Sequence, residues 1–350
     1  MTDTPSAESG TLEDVLVVDA TTRGPGPYAT RVLARLGARV IKVEPPLGDP
    51  SRAMPQIFQE FNAGKESVVC ALDTAEGRAF ARGLAGRAHV FVHSWPAGRA
   101  ATFGLDAAAL AEANPGLVHC TISGYGPGSP LGDRPGQDLS YLAASGALAT
   151  LYPGEPQIPG IPYGDTLAGT QAATRILAAL LRARSTGRGA AIEVSVTAVL
   201  AEPARIGRLA AGTPLAAGFA NPGKAVYHTA DDRRLVVAIL DEDAYWAGLC
   251  DALGLADVRT LTTAERFADA AALRARVQRA LSGMDAAEAT RRLGSRALPW
   301  AFVEEPGALA FAGGLPLPED VEPALGEHTA AVHAEFAVRD APERVWESPR

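Results

Sequence analysis

The stretch Val15–Glu44 constrains this chain more than any other. An apolar run, Val15–Ala20 (VLVVDA), is followed by a Gly/Pro turn at Thr22–Pro27. A helical pattern spans Tyr28–Leu36 and a second strand pattern, Val40–Glu44 (VIKVE), follows. Gly37 sits where a helix C′ residue belongs. Two strands joined by one short crossover helix must run parallel, and a parallel sheet needs helices on both faces.

The alternation continues. Strand patterns at Val68–Leu72, Val90–His93 and Leu117–Ser123 are interleaved with helical patterns at Glu76–Leu84 and Ala107–Ala113. A long helix is expected at about Thr166–Ala183 and a further strand at Ala191–Val196. The expected class is α/β, with a Rossmann-like large domain built on a parallel sheet. Beyond it, Ala225–His228 and Leu235–Leu240 read as a hairpin. Amphipathic helices follow at Asp243–Leu253, Ala271–Leu281 and Asp285–Leu293, then a strand at Leu298–Val303. This gives a smaller α+β domain. The expected organisation is a disordered leader at 1–10, the large domain at 11–199 and an Ala/Gly/Pro-rich linker at 200–224. The small domain then spans 225–305, and 306–350 is a C-terminal segment returning to the large domain.

Composition removes several function classes. The 350 residues are 47% hydrophobic, enough for a core without staples, and the formal net charge is −8. An acidic chain disfavours sequence-independent nucleic-acid binding. Cys70, Cys120 and Cys250 are scattered, with neither metal-ligand nor redox spacing, as expected of buried thiols in a reducing compartment. No apolar run reaches membrane-spanning length and the N-terminus is polar. A cytoplasmic protein without a metal is expected.

Two carboxylates stand at strand-to-helix or turn-to-helix switches: Asp138 in Pro135–Asp138 (PGQD) and Asp165 in Gly164–Asp165. Each can cap a helix. Each can also face a ligand cleft as nucleophile or base, since open α/β sheets bind ligands at the carboxyl ends of their strands. Arg23, Lys42, Arg52 and Lys65 lie near predicted strand ends, where a phosphorylated ligand would need charge. Gly24 and Gly26 lack the third glycine of a dinucleotide fingerprint. His119 reads as a core histidine.

These residues carry a family resemblance. Arg23–Arg52 (RGPGPYATRVLARLGARVIKVEPPLGDPSR) resembles the opening of the class III CoA-transferases. So do Phe61–Ser67 (FNAGKES), Leu72–Gly77 (LDTAEG), Asn114–Val118 (NPGLV), Ser123–Gly126 (SGYG), Pro135–Asp138, Gly164–Asp165 and Leu325–Thr329 (LGEHT). The resemblance implies an interlinked homodimer and acyl-CoA and a carboxylic acid as substrates. It also implies that Asp138 is the nucleophile that forms an aspartyl-CoA intermediate. CoA would be held by Arg23, Lys42, Arg52 and Lys65, with Tyr125 from the Ser123–Gly126 turn. In the related racemases a histidine precedes this aspartate, and the position of Asp165 supplies a partner base. Here Gln137 stands in place of the histidine, and glutamine carries no proton at neutral pH. Three readings follow: a CoA-transferase; a 2-methylacyl-CoA racemase using Asp165 with another partner, such as Asp241 or Glu242; and a non-catalytic acyl-CoA-binding subunit. The third is favoured by departures such as His93–Gly98 (HSWPAG), which lacks the family's arginine before Pro-Gly.

Overall fold

The structure is a computed structural model, and it describes residues 10–132, 134–152, 154–210, 221–305 and 322–337. The expected leader, apart from Gly10, and part of the expected linker lie outside these residues. Contacts divide the chain into two compact units, one from positions up to Ala204 and from Leu315 onward, the other Arg205–Gly314.

The first unit is built on six parallel strands: β1 Leu16–Ala20, β2 Arg39–Glu44, β3 Glu66–Val69, β4 Val90–His93, β5 Val118–Ser123 and β6 Ala190–Ser195. Their order is β3-β2-β1-β4-β5-β6, every pair parallel. This is the order of a doubly wound sheet. It opens a crevice between the carboxyl ends of β1 and β4, where the winding reverses.

The helices are α1 Pro25–Arg35, α2 Pro55–Asn62, α3 Ala75–Arg87, α4 Arg99–Phe103, α5 Ala107–Ala113, α6 Asp138–Ser145, α7 Ala147–Leu151, α8 Tyr163–Thr186 and α9 Val196–Ala210. Strand side chains alternate between two cores. Val17, Val40, Val92 and Cys120 pack beneath α1 and α8 through Ala29, Leu33, Ala172 and Ile176. Val18, Ile41, Val68 and Phe91 face α3 through Ala81, Leu84 and Ala85. Burial on both faces explains why these strands read as continuous apolar runs. Burial also pushes the Cys120 thiol up to about 12, so it is an inert core group.

Several elements differ from the sequence expectations. In this unit α2, α4 and α7 were not foreseen. α9 continues to Ala210, so the first part of the expected linker is helical. His119 is buried, with Nε2 3.1 Å from the Leu105 carbonyl, as expected of a core histidine.

The C-terminal segment packs on this first unit. His328 donates its N–H to the Ser67 carbonyl (3.0 Å), Val69 donates its N–H to Thr329 Oγ1 (3.0 Å), and α14 Thr329–Ala337 buries Val332 in the α3-side core.

In the second unit, β7 Lys224–His228, β8 Arg234–Ala238 and β9 Trp300–Phe302 form an antiparallel sheet. α10 Asp243–Leu253, α12 Ala270–Ser282 and α13 Ala286–Gly294 cover it, with the short α11 Thr263–Ala268 before α12. Asp285 accepts the Glu288 N–H (2.8 Å), the N-cap its position implies.

Candidate active site

The chain turns sharply after β1, and that turn builds the first wall of the crevice. Arg23 takes φ +69°, a left-handed conformation that costs a side-chain-bearing residue about 1–2 kcal/mol. It is held there by Asp49, whose carboxylate accepts the Arg23 N–H at 3.2 Å. The Arg23 guanidinium stays exposed beside the crevice, with no ion-pair partner among the described residues. Strain maintained this way at a cleft is characteristic of functional positions. If Arg23 serves a ligand rather than the fold, Arg23→Gly will be more stable than Arg23→Ala by about 1 kcal/mol. Both will bind CoA at least about tenfold more weakly than the parent, a loss of about 1.4 kcal/mol. Thermal denaturation and calorimetry check the two halves.

The two aspartates meet in the same crevice. α6 begins at Asp138, but Gln137, not Asp138, is its N-cap residue. The Asp138 carboxylate instead reaches the N-terminus of α8. Its Oδ1 accepts the N–H of Gly164 at 2.5 Å and that of Asp165 at 3.2 Å. These N–H groups are unpaired within the helix, and a helix N-terminus favours an anion. Oδ2 has no hydrogen-bond partner among the described residues. Two glycines make the approach possible. A Cβ on Gly164 would lie 2.7 Å from Asp138 Oδ1, and one on Gly24 would lie 2.2 Å from the Asp165 carboxylate.

Burial raises the Asp138 carboxyl, against the two backbone donors. Burial raises Asp165 further, to about 6, with the Asp138 charge adding to it. The sign of the linkage follows. A carboxyl raised from 3.8 to about 6 in the folded state contributes stability that is complete below about pH 4 and lost as pH rises through about 6. Asp165→Asn will therefore match the parent near pH 4 and exceed it by about 1–3 kcal/mol near pH 8 in urea unfolding.

The crevice is about 330 Å³. Thr22–Pro25 after β1, Ser94 after β4, Ser123 and Gly124 at the end of β5, Gly136–Asp138, Tyr141 and Asp165 line it. Thr22 also lines a neighbouring cleft of about 430 Å³ over the ends of β2, β3 and β4, with Pro45, Leu72, Asp73, Trp95 and Arg99. Arg99 is exposed, its guanidinium 4.6 Å from the Phe103 ring centroid. It lies one position past the Pro96–Gly98 turn, so the sequence did hold a cation here, displaced from the position where the resemblance looks for it.

Three of the four cations expected at CoA are differently employed. Lys42 and Lys65 are wholly buried. Lys42 Nζ lies 2.9 Å from Asp49 and donates to the Thr21 carbonyl (3.0 Å). Lys65 Nζ lies 3.0 Å from Asp19 and donates to the Pro27 carbonyl and to Asn62 Oδ1 (3.0 Å each). Burial alone would raise the Asp19 carboxyl, but the two ammoniums outweigh it and hold it well below the usual range. Arg52 grips Glu44 (2.6 Å) and donates to the Pro323 carbonyl (3.0 Å), tying the C-terminal segment to β2. Lys42 and Lys65 thus brace the turn at Thr21–Gly24, directly and through Asp19, while Arg52 anchors the C-terminal segment. Tyr125 stands just behind the crevice, its hydroxyl donating to Ser140 Oγ at 3.3 Å and its ring edge-on to Tyr141. Glu242, in the second unit, accepts its own neighbour's N–H, from Leu240 (2.8 Å).

The sequence profile of CoA-transferase family III matches residues 12–349. The chain belongs to CoA-transferase family III. It is 32% identical over 305 residues to an acetyl-CoA:oxalate CoA-transferase of Acetobacter aceti, covering 81% of this chain and 78% of that one. It is likewise 32% identical to a succinate–glutarate CoA-transferase of Agrobacterium fabrum, over 73% and 69% of the two chains. Among solved structures, Rv3272 of Mycobacterium tuberculosis aligns with TM-score 0.79 at 26% identity, over 92% and 98% of the two chains. A CAIB/BAIF family protein of Brucella suis aligns with TM-score 0.77 at 25% identity, over 94% and 99%. As a family III enzyme the chain moves CoA from an acyl thioester to a carboxylic acid. Among the described residues no helix is long and apolar enough to cross a membrane, and no cluster of three His, Cys, Asp or Glu could hold a metal.

Proposed function

We propose that CoA transfer runs through a covalent aspartyl-CoA thioester on Asp138. The observation that carries this reading is the division of labour within one carboxylate: Oδ1 is fixed by two backbone N–H groups and Oδ2 is left to react. Oδ2 attacks the thioester carbonyl, the C–S bond breaks, and CoA departs as its thiolate from an aspartyl–acyl mixed anhydride. The thiolate then attacks the aspartyl carbonyl. The acyl group leaves as a free carboxylate and the aspartyl-CoA thioester remains. An incoming acid repeats the two steps in reverse and regenerates Asp138. Partial burial strips water from a nucleophile that is weak in bulk solvent. Gln137, lining the crevice beside it, offers a carboxamide N–H for the thioester oxygen.

None of these steps moves a proton. A glutamine at 137 therefore suits transfer and disfavours racemisation, which needs a base on each face of the α-carbon. CoA itself is assigned to the two clefts that share Thr22, with Arg23 and Arg99 as the cations available to its phosphates. One incubation separates the readings. An acyl-CoA is mixed with its own isotopically labelled free acid in deuterated water. Transfer puts label into the thioester without deuterium at the α-carbon; deuterium without label would mean a racemase, and neither would mean a binding subunit.

We also assign the enzyme to a reducing, cytoplasmic compartment as an interlinked homodimer. Leu167 and Leu181 expose apolar side chains on α8 of the first unit, apolar area suited to a partner. Interlinked chains separate only by unfolding. Light scattering on dilution should then find dimer and unfolded chain, and a folded monomer would remove the interlinking.

A further inference from the structure

We infer that the acyl group carried by this enzyme is an uncharged, apolar chain, and that it lies in an open groove running from Gln137 along α6 and α7. The inference rests on Asp138 being the point of attack. The groove is about 720 Å³, within the range of small-molecule sites. Gly136 and Gln137 line both it and the Asp138 crevice, so a thioester carbonyl presented to Asp138 can direct its acyl tail into the groove. The walls are Leu139 and Ala143 of α6, Leu148 of α7, and Pro156 and Ile158 of the segment after α7.

The chemistry of the lining selects the occupant. Among the described residues, no Asp, Glu, Lys, Arg or His lines the groove. Of its polar side chains, Ser140 is already committed: its hydroxyl donates to the Gln137 carbonyl (2.7 Å) and accepts the Gln137 N–H (2.9 Å). Ile158 is 80% exposed and Leu139 38%, apolar area that an acyl chain would cover. An acyl group ending in a second carboxylate would lose hydration there and meet no cation among the described lining residues. The donor acyl group and the acceptor acid exchange places at Asp138, so the same selection applies to both, and the preferred acceptor is a monocarboxylic acid. This separates the chain from relatives whose names specify oxalate or glutarate.

The test is a chain-length series on the full-length enzyme: acetyl-, butyryl-, hexanoyl- and octanoyl-CoA against succinyl- and glutaryl-CoA, with isotopically labelled acetate as acceptor so that the acetyl-CoA exchange is also read. Each methylene that enters the groove should raise kcat/KM by roughly threefold to fourfold until the groove is full. Succinyl- and glutaryl-CoA should fall at least about tenfold below their uncharged counterparts of equal length. Ala143→Trp, which fills the groove, should flatten the series. A flat series in the parent, or preference for a dicarboxylyl-CoA, overturns the inference. So does an Ala143→Trp variant that changes oligomeric state and leaves the series intact, because the groove would then be a contact between copies of this chain. Calorimetry of the same thioesters on Asp138→Asn reads the groove apart from the chemistry. If the parent turns over no acyl-CoA, the transferase reading fails; affinity rising with chain length would still uphold the groove, and constant affinity would still overturn it.

Discussion

Replacing Asp138 by asparagine is expected to lower kcat for CoA transfer by at least about 10³-fold while leaving the fold in place. Asparagine keeps the size of the side chain and an oxygen that can accept the Gly164 and Asp165 N–H groups. What it loses is the negative oxygen that attacks. Removing that charge also removes one of the two causes that raise Asp165, so Asp165 should titrate lower in the variant. Asp165→Asn should reduce transfer less severely, because Asp165 neighbours the nucleophile without being it. Activity of Asp138→Asn within a few-fold of the parent, at unchanged melting temperature, would shift the chemistry to Asp165.

The largest stability effect is expected at Lys65. Its ammonium and the Asp19 carboxylate are both excluded from solvent, 3.0 Å apart, and Thr30 Oγ1 donates to Asp19 at 2.6 Å. Lys65→Met leaves a buried carboxylate with only hydroxyl and backbone donors at hand. Breaking one side of such a pair costs about 3–5 kcal/mol, a large part of a domain's total stability. Asp19→Asn in the Lys65→Met background should recover much of that loss, since no uncompensated charge remains. Urea unfolding of the two variants measures both. A Lys65→Met protein of parental stability but tenfold weaker CoA binding would return Lys65 to the ligand site.

The contrast between these two residues marks what the sequence could convey. The strands β1, β2, β4 and β5 are short runs rich in Val and Ile, as burial on both sheet faces favours, so the parallel sheet was legible. Asp138 and Asp165 were legible as residues at helix starts. Their meeting was not, since it depends on Gly24 and Gly164 allowing two segments to close on each other. Lys42 and Lys65 read as ligand cations because their partners, Asp49 and Asp19, come from other turns of the chain. α2 was signalled only by Pro55 at its first position, a weak cue for so short a helix. Arg99 lines the neighbouring cleft from the far side of the Pro96–Gly98 turn, whereas the motif places its arginine before that turn. The apolar groove had no sequence signature. Its walls come from α6, α7 and an irregular segment at 156–158, none with a sustained period.

The central claim is that CoA passes through a bond to Asp138, and trapping that bond tests it most directly. The enzyme is incubated with an acyl-CoA and no acceptor acid, then treated with hydroxylamine, digested and mapped by mass spectrometry. Before hydroxylamine, a fraction of the protein should carry the mass of CoA less one water. Afterwards the peptide containing Asp138 should be heavier by one NH, the hydroxamate of an activated aspartyl group, and transfer activity should fall in proportion. No adduct, or a hydroxamate at Asp165 with Asp138 unmodified, would contradict the account.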